Sequence, residues 1–230
     1  AVDDVSLRVA AGEHVALVGP SGSGKSTVGR LIARLVDPVR GSILVGGVDL
    51  RRVANVDLRT RVVIVPQEPF LFSTSIEENL YFASPNSTRS DMVEAFGRLG
   101  LKDWLDSLAS GLDTEVGQRG SALSAGERQL VALVRAAITN PDVLILDEAT
   151  SSVDPVTEQQ LSRALEALSH GRTTISVAHR LSTASRADRV VLMANGRIVA
   201  EGSHTDLLDK SPDYVALHNS WLASTKVDSR

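Results

Sequence analysis

The residues with the most legible chemistry are Gly19, Pro20, Ser21, Gly22, Ser23, Gly24, Lys25, Ser26 and Thr27, a G-x-x-x-x-G-K-[ST] run. A loop of this composition can turn its backbone N–H groups inward around an anion, because glycine tolerates positive φ and carries no Cβ. A helix that begins where the loop ends adds partial positive charge at the place where phosphates would sit. Lys25 then reaches the β- and γ-phosphates, and the Ser26 hydroxyl is placed to hold Mg²⁺. An ordinary glycine-rich turn would account for the glycines but not for Lys25-Ser26-Thr27 at a helix start.

Both flanks of the loop have the required form. The apolar run Val15-Ala16-Leu17-Val18 predicts a strand in front of it, and residues 28–36, with Leu31, Ile32 and Leu35 on one face, predict a helix behind it. Upstream, Val2, Val5, Leu7 and Val9 predict a further strand, and residues 41–48, with Gly46-Gly47 between short apolar runs, predict a hairpin. Val62-Val63-Ile64-Val65 is continuous and β-branched, as buried strands are; Pro66 stops it and Gln67 follows.

Between residues 70 and 140 helical patterns dominate, at 76–82, 92–99, 104–108 and 128–138, with a polar, glycine-punctuated loop at 111–123. This stretch is expected to be a helical subdomain inserted into an α/β core of residues 1–69 and 141–230. Val143-Leu144-Ile145-Leu146 is another buried strand, and a helix over 155–168 starts on Pro155. Strands at 173–177 and 190–193 follow, then Asn195-Gly196 turns the chain into 197–199, and 205–208 and 214–222 close as helices. Strands alternating with helices imply a mostly parallel sheet covered on both faces.

Asp147-Glu148 closes the strand that starts at Val143. Carboxylates at the C-terminal end of a buried parallel strand lie where such sheets bind ligands. Asp147 can reach the shell of a Mg²⁺ ion and Glu148 can polarise a water for attack on a γ-phosphate. Leu123-Ser124-Ala125-Gly126-Glu127 precedes the helix toward Ile138; Ser124 is an N-cap candidate, and Glu127, three residues on, completes a capping box. The same helix start could bind an anion, which the motif alone does not decide between.

Whole-chain properties bound the rest. Hydrophobic residues make up 43% and charged ones 23% of the 230 residues, a globular balance. The net charge of −4 argues against a dedicated nucleic-acid binder, so no nucleic-acid partner is expected. Absence of cysteine removes disulfides and thiolate metal sites. No apolar run approaches the ~18 residues of a membrane helix, and no signal peptide is visible.

Taken together the motifs resemble the nucleotide-binding domain of an ABC transporter over nearly the whole chain. Residues 19–27 are similar to its Walker A motif, Gln67 to the Q-loop glutamine and Leu123-Ser124-Ala125-Gly126-Glu127 to the LSGGQ signature. The strand from Val143 through Asp147 and Glu148 is similar to Walker B with its catalytic glutamate, Ser151-Ser152-Val153-Asp154 to the D-loop and His179 to the switch histidine. Pro69-Phe70-Leu71-Phe72 with Ile76-Glu77-Glu78-Asn79 resembles exporter-type domains. Thr114-Glu115-Val116-Gly117-Gln118-Arg119-Gly120 resembles their X-loop, which in the family meets the membrane domains.

The resemblance implies a P-loop ABC-ATPase fold with a mostly parallel core sheet, an N-terminal antiparallel β portion and the inserted helical subdomain. It implies ATP hydrolysis coupled to transport on the cytoplasmic face of a membrane. Ser26, Gln67 and Asp147 would surround Mg²⁺, Glu148 would be the base and His179 would contact the γ-phosphate. Two such domains would sandwich ATP head to tail, with Ser124, Ala125, Gly126 and Glu127 completing the partner's site. The alternatives are a soluble ABC ATPase of DNA repair or translation, and an ABC subunit that binds ATP without hydrolysing it. Ala125 and Glu127 stand where the family has Gly and Gln. No aromatic residue precedes Phe70, so the family's adenine-stacking residue is expected upstream of Ala1, in a longer polypeptide of which this chain is expected to be a fragment, with the membrane domain absent from it.

Overall fold

The computed structural model describes residues 2–147, 154–178 and 180–227. They form two compact units: residues 2–58, 145–147, 171–178 and 180–227, and residues 59–144 and 154–170.

The first unit opens with an extended stretch in which Val2, Val5, Leu7 and Val9 are half-buried between exposed neighbours. They pack beside a core of Val15, Leu17, Val28, Ile175, Val177, Val191 and Met193. A strand is predicted here, yet no ladder forms among the described residues: Asp3 N–H donates to Gly196 O and Asp4 takes a φ of 51°, which interrupts the extension. The alternation therefore reports packing, not pairing. Strand β1 (His14–Val18) leads into the glycine loop, and helix α1 (Lys25–Ile32) leaves it. The sequence predicts this helix over 28–36; it starts at Lys25 and ends at Ile32 instead, because Arg34 turns to a φ of 48°, held by bonds from Nη1 to Leu50 O and Val53 O, and Leu35 is left 50% exposed. Strands β2 (Leu44–Val45) and β3 (Val48–Asp49) pair antiparallel around Gly46-Gly47. Both glycines take positive φ, 57° and 79°, as the tight hairpin turn requires. This is the antiparallel β portion expected from the sequence.

Helix α2 (Asn55–Arg61) has only Leu58 buried, so it carries no apolar stripe for a sequence reading to find. In the second unit β4 (Val62–Val65) is the neighbour of β5 (Val143–Asp147), whose first two residues belong to this unit. Helices α3 (Ile76–Tyr81), α4 (Arg89–Arg98), α5 (Lys102–Ser107) and α6 (Ala125–Thr139) follow β4, and α7 (Pro155–Ser169) follows β5. Helix α6 is the hub: it packs on α3, α4 and α7 and buries Leu130, Val131, Leu133 and Val134. Asp154 caps α7, accepting from Val156 N–H and Thr157 N–H, with Pro155 in the first turn where its missing N–H costs nothing.

The chain then returns to the first unit with β6 (Thr173–Val177), α8 (Leu181–Arg186), β7 (Arg189–Ala194), β8 (Arg197–Gly202), α9 (His204–Lys210) and α10 (Pro212–Val227). The strands run β5-β6-β1-β7-β8. β1 is parallel to both neighbours, with Leu17 level with Val177 on one side and Val191 on the other, and β8 is antiparallel to β7. Successive residues of β1 enter opposite cores: Val15 and Leu17 face one, while Ala16 and Val18 join Val190, Leu192, Leu207 and Tyr214 in the other. A strand buried on both faces reads as a continuous apolar run, which is why Val15 to Val18 was legible. The fold is thus α/β with a mostly parallel core sheet.

Candidate functional site

The parallel sheet delivers β1 to the loop at its C-terminal edge, where open α/β sheets place ligands. Gly19 takes a φ of 142°, and a Cβ there would lie 2.1 Å from Met193 O, so only glycine lets the loop start this close to β7. Ser23 N–H donates to Pro20 O, and Gly196 N–H, in the turn after β7, donates to Ser23 O at 3.0 Å. The loop is thereby braced from both ends. Gly24 supplies the left-handed N-cap of α1, with a φ of 106° and no side chain in the capping position. No acidic residue of α1 itself occupies the first turn, and the helix dipole faces the loop.

Lys25 is 4% exposed, and its Nζ donates to Gly19 O at 2.8 Å and Pro20 O at 3.0 Å, with Ser23 Oγ at 3.4 Å. Burial pushes its ammonium below the ordinary lysine value, opposed by the attraction of Asp147. A buried cation held by carbonyl dipoles, with a carboxylate nearby but no ion pair at contact among the described residues, is a charge suited to meet an anion. Ser26 Oγ donates to Asp147 Oδ1 at 3.4 Å, which joins the start of α1 to the end of β5. Gly29 permits this approach, since a Cβ there would meet Ile145 Cγ2 at 3.2 Å. Lys25, Ser26 and Asp147 thus converge within one unit, and Thr27 follows them on α1. Glu148, His179 and Ser151 to Val153 lie outside the described residues.

Other predicted residues belong to the second unit. Gln67 is exposed just after β4 and Pro66, and its carbonyl accepts from Gln129 Nε2 at 3.0 Å. Ser124 caps α6 and accepts from Glu127 N–H, while Glu127 Oε2 accepts from Ser124 N–H at 2.8 Å, the expected capping box. The other oxygen of Glu127 accepts from Trp104 Nε1 at 3.2 Å. Burial opposes the Glu127 charge, but bonds from Ser124 N–H and Trp104 outweigh it and hold the carboxyl below its ordinary value. Ala125 is exposed and Gly126 buried, and their N–H groups lie in a first turn that has no intrahelical acceptors for them. In the segment from Thr114 to Gly120, Val116 is fully buried while Glu115, Gln118 and Arg119 are exposed. It is tied back by an antiparallel bridge between Ser75 and Glu115.

Some participants were not anticipated from the sequence. Arg135 Nη1 donates to Phe70 O at 2.7 Å, its Nε donates to Asn79 O at 2.9 Å, and its Nη2 bonds Asn79 Oδ1. Asn79, fully buried, also accepts from Phe72 N–H and donates to Phe72 O, Thr74 Oγ1 and Ser75 O. This clamp and the Gln129 bond hold the segment after Gln67 against the helix that begins at Ser124. The signal was present: Asn79 shares the apolar face of Ile76 and Leu80, and Arg135 interrupts an otherwise apolar run. A second constellation, His14 Nε2 at 2.8 Å from Ser176 Oγ, is no nucleophilic site: Ser176 is fully buried, and Asp188 accepts from the His14 backbone N–H.

Comparison with known proteins agrees with this geometry. The ABC transporter family model matches residues 2–151. The chain is 44% identical over 211 residues to ABC transporter B family member 14 of Arabidopsis thaliana, covering 92% of this chain and 17% of that protein. It is 43% identical over 227 residues to an ATP-dependent lipid A-core flippase of Ralstonia nicotianae, covering 97% and 38%. Against an ATM1-type heavy metal exporter of Novosphingobium aromaticivorans it is 43% identical over 213 residues, covering 93% and 35%. Among solved structures, a bacterial Atm1-family ABC exporter with ATP bound superposes with a TM-score of 0.87 at 41% identity, covering 95% of this chain and 38% of that one. The chain therefore spans between 17% and 38% of the length of these relatives.

Proposed function

Because this chain belongs to the ABC transporter family, with the sequence and fold of an exporter-type nucleotide-binding domain, we propose that it binds ATP in the loop of residues 19–27 and hydrolyses it to drive export. One observation carries the reading: Lys25 lies buried on the loop carbonyls of Gly19 and Pro20, next to the oxygen pair of Ser26 and Asp147. In this reading the loop N–H groups and Lys25 hold the phosphates. Two oxygens 3.4 Å apart, one hydroxyl and one carboxylate, suit a hard divalent cation. Ser26 and Asp147 would therefore hold Mg²⁺, with Gln67 joining them as the family resemblance implies, and the ion when bound would offset the negative charge of the β- and γ-phosphates. Glu148, next to Asp147, accepts a proton from the attacking water, and His179 donates to the γ-phosphate.

Residues 70–140 form the helical subdomain of the proposed domain, set into the α/β core of 1–69 and 141–230. Two domains pair head to tail, and the first turn of α6, with Ser124, Ala125, Gly126 and Glu127, faces the nucleotide bound by the partner, where its N–H groups and dipole favour an anion. The segment from Thr114 to Gly120 meets membrane domains supplied by the rest of the protein, placing this domain at the cytoplasmic face of the membrane. Among the described residues no helix is long and apolar enough to cross a membrane.

Paired substitutions test the assignment. Mg-ATP at a hundred times its Kd should stabilise the parent domain by about 2.7 kcal/mol. Lys25→Ala should abolish most of that thermal shift. Glu148→Gln should keep it while phosphate release falls by ~10²–10⁴-fold, the usual worth of a general base. An undiminished shift in Lys25→Ala would remove the lysine from the site, and undiminished hydrolysis in Glu148→Gln would remove the base.

A further inference from the structure

Two imidazoles meet on the first unit away from the phosphate loop residues. His204 is the first residue of α9 and His218 lies on α10; their ring centroids are 5.8 Å apart. Both are half-buried, so each keeps an opening to solvent. His204 Nδ1 lies 2.7 Å from the hydroxyl of Tyr214, which is fully buried between the same two helices and the sheet. Burial pushes the Tyr214 phenol up to about 12, so it stays protonated and neutral.

Either Nδ1 or the tyrosine hydroxyl can be the donor of this bond, and a metal at Nε2 requires the tautomer in which Nδ1 donates. When Nδ1–H donates to the tyrosine oxygen, the ring orientation and tautomer are set and the Nε2 lone pair is left outward. Two imidazoles bound tetrahedrally at 2.0–2.1 Å place their ring centres about 5 Å apart, so a side-chain rotation closing the gap by less than about 1 Å suffices. We propose that His204 and His218 chelate one borderline divalent transition ion of the zinc class, pinning α10 to α9. Imidazole nitrogen selects such an ion over Mg²⁺, which prefers oxygen. No group of three or more metal-binding side chains occurs among the described residues, so water fills the remaining positions and the ion is exchangeable. The site is independent of the nucleotide reading, because neither histidine touches the phosphate loop or its carboxylate.

The test is isothermal titration of the 230-residue chain with Zn²⁺, with Mg²⁺ in parallel, alongside thermal melts. The parent should bind one Zn²⁺ and melt higher with it, and Mg²⁺ should do neither. His218→Gln, a half-exposed position that should not perturb the fold, should lose at least tenfold in Zn²⁺ affinity. Tyr214→Phe removes only the hydroxyl and should weaken binding by ~10–100-fold, the usual effect of losing the hydrogen-bond partner of a ligating imidazole. His170→Gln controls for adventitious imidazole binding and should leave affinity unchanged. Equal Zn²⁺ affinity in parent and His218→Gln would overturn the proposal. So would Zn²⁺ binding that occurs only with dimer formation in light scattering, since that would place the two ligands on different chains.

Discussion

Glu127 shows how one departure from a consensus can be built into its surroundings. Its two carboxylate oxygens accept from two different donors, Ser124 N–H at 2.8 Å and Trp104 Nε1 at 3.2 Å. A glutamine offers one acceptor oxygen, and its amide nitrogen would confront the second donor. Glu127→Gln should therefore lower stability by about 1 kcal/mol at neutral pH. The pH dependence follows from the direction of the shift. The folded carboxyl titrates below its ordinary 4.5, although burial pulls the other way, so the unfolded chain binds more protons in that window. The stabilisation is complete above the unfolded pKa and is lost as pH falls through the lower folded value. Urea unfolding of parent and variant should differ at pH 7 and converge in acid. A gap that persists unchanged at low pH would mean that ionisation of Glu127 is not its source.

At the scale of elements, α6 does more than present Ser124 at its start. Its second turn sends Gln129 to the carbonyl of Gln67, and Arg135 further along sends three bonds into Phe70 and Asn79. Arg135 is held by carbonyl and amide oxygens rather than a carboxylate, and burial pushes its pKa down. A guanidinium in that setting depends on every acceptor it has. Asn79→Ala removes one acceptor from Arg135 and leaves Phe72 N–H without its partner. With one to three kcal/mol for each buried group left unsatisfied, the expected loss is about 3 kcal/mol. Denaturant titration should show a lower midpoint with an unchanged slope. A loss below about 1 kcal/mol would mean that water replaces the asparagine and that the clamp is not rigid.

For the whole molecule the proposed function raises the question of how nucleotide chemistry would reach membrane domains. The segment from Thr114 to Gly120 is anchored by buried Val116 and by the bridge to Ser75, while Glu115 and Arg119 project into solvent. Anchored backbone with exposed charge is suited to contact without being needed for the fold. In the transporter that the proposed function implies, replacing both Glu115 and Arg119 by alanine should cut transport more than it changes ATP affinity, measured by substrate uptake into vesicles and by nucleotide titration. Transport at the parental rate would dismiss the segment as a coupling contact.

What the sequence determined by itself was local and periodic. The run from Gly19 to Thr27 needs particular backbone dihedrals and a particular cation, so its residue types are diagnostic without any fold. Val15 to Val18 and Val143 to Leu146 are buried on both faces, and Ser124 with Glu127 closes a capping box over three residues, all patterns with short range. Tertiary structure decided what depends on partners distant in the chain. Val2, Val5, Leu7 and Val9 alternate as a strand does but find a core to pack on and no ladder to join among the described residues. Helix α1 stops early because Arg34 is drawn to Leu50 O and Val53 O. Asn79 with Arg135, and His204 with Tyr214 and His218, are ordinary residues until folding sets them side by side. Hydrogen bonds and ring contacts across such separations leave no period in the chain, and only the folded molecule shows which polar group answers which.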